Sequence, residues 1–304
     1  MDTFNAIPIF VAVADSGGFS SAARVLGISK SAISKRITQL EQQLGSRLFY
    51  RSTRNLSLTE AGERYYQYAS QANRAAKQAE DAVSELQGEP KGLLKIQVPM
   101  TIGQMHLASL IPEFIEHYPE VQIDLVMDDG KINLIEQGFD LAIRADDLVD
   151  SNLIARHLVP LHSVVCVSPL FYQKHRQQLE SPAQLADLNC ILYSYSNNAD
   201  VWQFNATSGD EYKVKVAGNY RVNNSAALRD AVIAGMGAGR LPTFVAGPEI
   251  QKGKLVAILQ DYTMPSKNLN AIYPERHYMP AKVRVFLDYM IAKLGDGAAY
   301  WDEF

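Results

Sequence analysis

Between Ser29 and Gln42 the sequence places hydroxyls and cations at helical spacing. At 100° per residue, Ser31, Ser34, Lys35, Thr38 and Gln42 share one side of a helix, with Lys30 near its start. Ile33, Ile37, Leu40 and Leu44 form an apolar stripe on the other side. Short hydroxyls permit close approach to a neighbouring surface, and free N–H groups with cations at a helix start suit phosphate. A second cationic group follows in "RLFYRSTRNLSLTEAG", where Arg51, Ser52, Thr53, Arg54 and Asn55 form the tip of an expected hairpin. Two arginines there can reach a duplex backbone or a minor groove.

A different set of residues could hold a small molecule. In open α/β sheets, ligands lie beyond the carboxyl ends of the strands. Four such places occur: Met100–Thr101, Arg144, Asn223–Asn224–Ser225, and Arg240 with Phe244 just beyond. Thr101 and Ser225 each stand at an expected helix start, which favours negative charge, and two arginines add bidentate donors. Met100 and Phe244 are expected on the apolar side of the pocket. Nothing comparable points to catalysis. There is no G-x-S-x-G elbow, H-E-x-x-H pair or phosphate-binding P-loop, and the six histidines are scattered without metal-ligand spacing. "GMGAGR" follows a helix and precedes a strand, the reverse of a dinucleotide loop, and reads as a tight turn. Neither a cofactor nor a metal is expected.

These groups need elements to position them. Ser29 is the expected N-cap of the Ser/Lys helix, and Gly27 closes the helix before it. Phe4, Ile7, Phe10, Val11 and Val13 supply a third helix, which makes a helix-turn-helix core. From Thr59, Tyr65, Tyr68, Ala72, Ala75, Ala79, Ala82 and Leu86 recur every three or four residues, a seam on which two copies can pair. "QGEPKG" ends it. Strands and helices then alternate, which predicts parallel sheets covered on both faces, with "KINLIEQG" among the helices. The chain leaves one unit after Arg144 and returns near Leu269, which implies two lobes. "DGAAYWDEF" matches no expected element and reads as a flexible or docking tail.

Charge agrees with this division. Residues 1–60 hold seven Lys/Arg and four acids, a net of +3, so a chain of net charge −4 carries −7 in the remainder. A basic head on an acidic body implies that only the head meets a polyanion. Apolar residues make up 47% of 304, enough to bury cores in two or three domains. No apolar run is long enough to span a membrane, and "MDTFNAIPIFVAVADSGG" lacks the basic start of a signal peptide. Cys166 and Cys190 lie in apolar runs and read as reduced core residues of a cytoplasmic protein.

"GGFSSAARVLGISKSAISKRITQLEQQLGSRLFYRSTRNLSLTEAG" resembles the winged helix-turn-helix of LysR-type transcriptional regulators almost continuously. "PEFIEHYPEVQIDL" and "LIEQGFDLAIR" extend the likeness over about 91–294. The resemblance implies an α/β chain: an all-α winged helix-turn-helix (1–58), a dimerising linker helix (59–88), and a two-lobed periplasmic-binding-protein-like domain (89–304). Lobe I covers about 91–160 and 269–304, and lobe II about 161–268. It implies groove-facing positions at Ser29, Lys30, Ser31, Ser34 and Lys35, with Arg36 beside them and Arg51 and Arg54 on the wing. Lys30 departs from the glutamine common in relatives, which favours guanine or phosphate over adenine. Thr101 matches a hydroxyl position of the family, and Asn223–Ser225 its second-lobe counterpart. The expected partners are double-stranded DNA, a small effector, expected to be a carboxylate, and one or three further copies of the chain. A solute-binding protein would need an export signal, an enzyme a titratable constellation, and an architectural DNA-binding protein no ligand-sized body.

Overall fold

The structure is a computed structural model. It describes residues 3–51, 56–86, 88–130, 133–135, 137–145, 153–196, 198–274, 279–295 and 299–303. The chain forms two units, Met1–Gly88 and Glu89–Phe304.

In the first unit, α1 (Ile7–Asp15) and α2 (Phe19–Leu26) precede α3 (Lys30–Leu44). Gly27, at φ 64°, makes the left-handed turn that ends α2. Ser29 Oγ accepts the Ala32 N–H at 3.2 Å and caps α3. Ile33, Ile37 and Leu40 are fully buried with Phe10, Val13 and Ala22. Leu44, expected on the same stripe, is 40% exposed, because it lies in the last turn before Gly45 reverses the chain at φ 64°. β1 (Phe49–Arg51) and β2 (Leu56–Leu58) pair antiparallel, with Phe49 opposite Leu58. The buried Glu41 carboxylate accepts the Leu48 and Phe49 N–H groups at 2.9 and 3.2 Å and ties this hairpin to α3.

α4 (Glu60–Leu86) follows directly. Thr59 Oγ1 accepts the Gly62 N–H at 3.0 Å and donates to the Arg47 carbonyl at 2.6 Å. Gly62 must be glycine for space: a Cβ would stand 2.0 Å from the Leu48 carbonyl oxygen. The Tyr66 hydroxyl donates to Asp15 and Tyr65 packs edge-on against Phe10, so α4 is also fixed to α1.

The second unit begins with β3 (Gly92–Val98). A broken helix follows: α5 (Met100–Ile102), a π-helical turn (Gly103–Leu107), a 3-10 turn (Ala108–Leu110) and α6 (Ile111–His117). Next come β4 (Val121–Met127), β5 (Leu141–Arg144), β6 (Leu153–Leu161) and β7 (Ser163–Val167). Then α7 (Pro169–His175), β8 (Cys190–Tyr193), β9 (Val201–Ala206), β10 (Glu211–Lys215) and β11 (Arg221–Val222) follow. α8 (Ser225–Ile233), β12 (Ala238–Pro242), α9 (Thr243–Gln251), β13 (Val256–Ile258), β14 (Tyr262–Thr263), β15 (Lys267–Pro274) and α10 (Ala281–Leu294) complete the regular elements, before a 3-10 turn at Tyr300–Asp302.

One five-stranded sheet runs β4-β3-β5-β15-β6 and another β11-β8-β12-β7-β13, with a small sheet β10-β9-β14 beside the second. The expectation of parallel sheets needs correction. β3 pairs in parallel with β4 and β5, but β15 is antiparallel to β5 and β6, and β7 is antiparallel to β12 and β13. The strands that carry the chain between sheets enter from the opposite end, which reverses their direction. "KINLIEQG" also differs: its described residues around Leu134–Ile135 and Gln137–Gly138 form turns.

Candidate functional site

On α3, Ser29, Lys30, Ser31, Lys35 and Arg36 are exposed, and Ser34 is half-buried. Ser29 Oγ and Ser31 Oγ lie 3.0 Å apart, so the two hydroxyls form one polar edge at the helix start. The face is therefore open, cationic and rimmed by short side chains, while the opposite stripe holds the core. Arg51 lies at the end of β1, and Arg54 falls outside the described residues.

Within the second unit, strand ends from both five-stranded sheets converge on a cavity of about 530 Å³. Thr101, Arg144, Ser225, Arg240 and Phe244 line it, as their positions after strands predict. Met100 does not: it is 39% exposed outside the cavity, and its N–H is bonded to Asp129 Oδ1 at 2.9 Å. Asn224 does not line it either. Its Oδ1 accepts the Ala226 and Ala227 N–H groups at 3.0 and 3.1 Å, so it serves as the N-cap of α8. Asn223 likewise lies off the lining and donates to the Tyr195 hydroxyl at 3.3 Å.

The wall also contains groups absent from the sequence-based expectation. Gln97, buried within β3, accepts from the Arg144 guanidinium at 3.2 Å and donates to the Asp128 and Gly130 carbonyls at 3.2 and 3.0 Å. It thereby fixes both the arginine and the loop after β4. Asp128 and Asp129 stand on that loop at the rim. Burial raises the Asp129 pKa and the Asp128 charge adds to this, while the Met100 N–H opposes it. The strand-end rule, applied to "VQIDLVMDD", would have found both acids. A glutamine inside the apolar run "GLLKIQV" was a similar signal.

Arg240 is the cavity's most distinctive group. Its guanidinium donates to Ser196 Oγ at 3.1 Å. Burial lowers its pKa from the usual arginine value. Among the described residues it has no ion-pair partner. A partly desolvated cation whose side chain has one neutral hydroxyl partner among the described residues is a site at which a counter-charge can be accommodated. Among the described residues no cluster of His, Cys, Asp and Glu could hold a metal ion, and no helix is long and apolar enough to cross a membrane.

A head of three helices with a hairpin wing, and a separate body of two sheets around a cavity, define a ligand-responsive DNA-binding architecture. The family model for the bacterial regulatory helix-turn-helix protein of the lysR family matches residues 4–63, and that for the LysR substrate binding domain matches 87–295. The chain belongs to the LysR family of transcriptional regulators.

An HTH-type transcriptional regulator of Xanthomonas campestris pv. campestris (strain 8004) is 34% identical over 96% of this chain and 86% of its own. CrgA of Neisseria meningitidis serogroup C (strain 8013) is 33% identical over 95% of this chain and 96% of its own. The solved structure of CrgA from Neisseria meningitidis has a TM-score of 0.61 at 33% identity, covering 96% of this chain and 99% of that one. Full-length AphB, a Vibrio cholerae virulence activator, has 0.62 at 25%, covering 96% and 99%. The relatives are named as regulators, not enzymes, in keeping with the absence of a catalytic motif in the sequence.

Proposed function

We propose that this LysR-family regulator reads duplex DNA through the exposed face of α3 and is controlled by a small organic anion, a carboxylate first of all, held between the two sheets of its body. Ser29, Lys30, Ser31, Ser34 and Lys35 lie on the groove-facing side, with Arg36 beside them. Arg51 and Arg54 serve the wing. The domain roles are a winged helix-turn-helix over 1–58, a pairing helix over 59–88 and an effector-binding body from 89 onward. Two copies pair through α4, whose small residues allow close approach, and a two-headed assembly suits a two-fold operator in the cytoplasm. Dimers can assemble further into tetramers.

The observation that carries the anion reading is Arg240: half-buried, on the cavity wall, and without an acidic partner among the described residues. Thr101 and Ser225 add hydroxyls from the two sides, and Phe244 adds an apolar surface. The test is a thermal-shift screen of the full chain against small carboxylates, amines and sugars. A carboxylate should raise the melting temperature, and Arg240→Gln should abolish that rise while the variant still melts cooperatively. A hit from amines or neutral sugars that survives Arg240→Gln, with no carboxylate hit, would overturn the anion assignment and leave the regulator assignment in place.

A further inference from the structure

Behind the cavity, the segment at 299–303 is packed into the seam between the two halves of the body. Ala299 and Trp301 are buried, at 2% and 6% exposure. α10, which precedes the segment, is fixed to the first sheet's side: Lys293 pairs with Glu113 of α6 at 2.6 Å, and Tyr289 donates to the Leu110 carbonyl at 3.0 Å. The segment then reaches α9, on the other side. Gln251 Nε2 donates to the Glu303 carbonyl at 3.4 Å.

The centre of this seam is His106, buried in the π-helical turn. Its Nε2 lies 3.3 Å from the Phe244 carbonyl, and its Nδ1 lies 2.6 Å from the Tyr300 hydroxyl. A carbonyl can only accept, so Nε2 carries the proton and Nδ1 accepts from Tyr300 in the neutral ring. The Trp301 ring is 4.8 Å from His106 and 6.0 Å from Phe244, and His106 meets Phe244 edge-on at 5.6 Å. Phe244 also lines the ligand cavity. One ring is thus cavity wall on one side and tail contact on the other. A second link runs through His162, also on the cavity wall, whose Nε2 is 3.8 Å from Asp302.

We propose that Tyr300 and Trp301 are positioning residues that latch the two halves of the body together and set the rear wall of the cavity through His106 and Phe244. The π-helical turn makes this possible. A π turn rotates the residues after it away from the register an α-helix would give them, and such turns recur at functional places. Here the turn carries His106, and α5, immediately before it, supplies Thr101 and Ile102 to the cavity. A ligand that changes the position of Phe244 must therefore act on the latch, and a loosened latch must change the wall. Its bearing on regulation rests on the cavity being the effector site; the positioning of the wall does not.

The test is amide hydrogen exchange on the full chain, without ligand, comparing the parent with Trp301→Ala. Exchange should rise roughly tenfold, as for a shifted local opening equilibrium, in peptides covering 100–110 and 243–251. Peptides covering 201–215, on the small sheet away from the seam, should be unchanged. Trp301→Phe, which keeps an aromatic ring, should restore most of the protection. Tyr300→Phe removes only the hydroxyl on His106, is conservative enough to fold, and should produce a smaller rise in the same two segments. A rise confined to the 299–303 segment, or one spread evenly over the body, overturns the latch. Since no ligand enters the assay, that failure would leave the anion reading untouched.

Discussion

Lys35 stands exposed on the face of α3 opposite the buried Ile33, Ile37 and Leu40. If that face meets DNA, Lys35 neutralises one phosphate. Lys35→Ala should then weaken specific and non-specific duplexes alike and reduce the slope of log K against log salt by about one. Titrations at several salt concentrations check this, and an unchanged slope would move the contact elsewhere. The cysteines show the opposite behaviour. Burial pushes the Cys166 and Cys190 thiols up to about 12, so neither supplies thiolate near neutrality. Treating the native chain with a peroxide should leave both unoxidised by mass spectrometry until the protein is unfolded. His106 adds a pH dependence. Burial holds its imidazole below the ordinary value near 6.5, with the Phe244 carbonyl partly opposing this. A depressed folded pKa contributes stability above the unfolded value and loses it as pH falls through and below that value. The melting temperature should decline below about pH 6.5, and the decline should be smaller in His106→Gln.

At the level of elements, local signals were easiest to read in the head, where each one is short in range. Ser29 as a cap, Gly27 as a left-handed closer and the Ile33–Ile37–Leu40 stripe depend on neighbours within one or two turns. Gly62 shows what such reading misses. Its sequence context is an ordinary helix start, yet it is constrained by Leu48, fourteen positions earlier, across a tertiary contact. Gly62→Ala should therefore cost more than helix propensity would gain, about 1–3 kcal/mol. Chemical denaturation of the full chain would show it, and a stabilised variant would mean that the hairpin yields easily. After β3 the helical stretch is not uniform: the chain inserts a π turn and a 3-10 turn between α5 and α6. Nothing local marks that break, because His106 is drawn toward Phe244 and Tyr300 from distant parts of the sequence. The pairing proposed for α4 belongs to this scale too. Ala75→Glu with Ala79→Glu would set like charges within it, so sedimentation should show dissociation and DNA affinity should fall.

Across the molecule, the two-sheet body was legible as alternation, but its strand directions were not. Alternation says that strands are separated by helices; it does not say from which end a strand enters a sheet after the chain has crossed from the other. β15 returns antiparallel to β5 and β6 for that reason. The same topology gives the cavity two walls from separate sheets, with Arg144 on one and Arg240 on the other. A ligand bridging them binds one arrangement of the walls better than another, and only that difference in affinity can be transmitted. Linkage then fixes a relation that no detail of the route can change. If a carboxylate alters the DNA dissociation constant by some factor, saturating DNA must alter the carboxylate's dissociation constant by the same factor. Calorimetric titration of the carboxylate into the full chain, with and without a bound operator duplex, measures one side. DNA titration at zero and saturating carboxylate measures the other. Couplings of this kind are typically about 5- to 150-fold. Two equal factors above unity would establish that the cavity and the α3 face report on one equilibrium. A carboxylate that binds tightly through Arg240 but leaves DNA affinity unchanged would show that the cavity is occupied without being the control site.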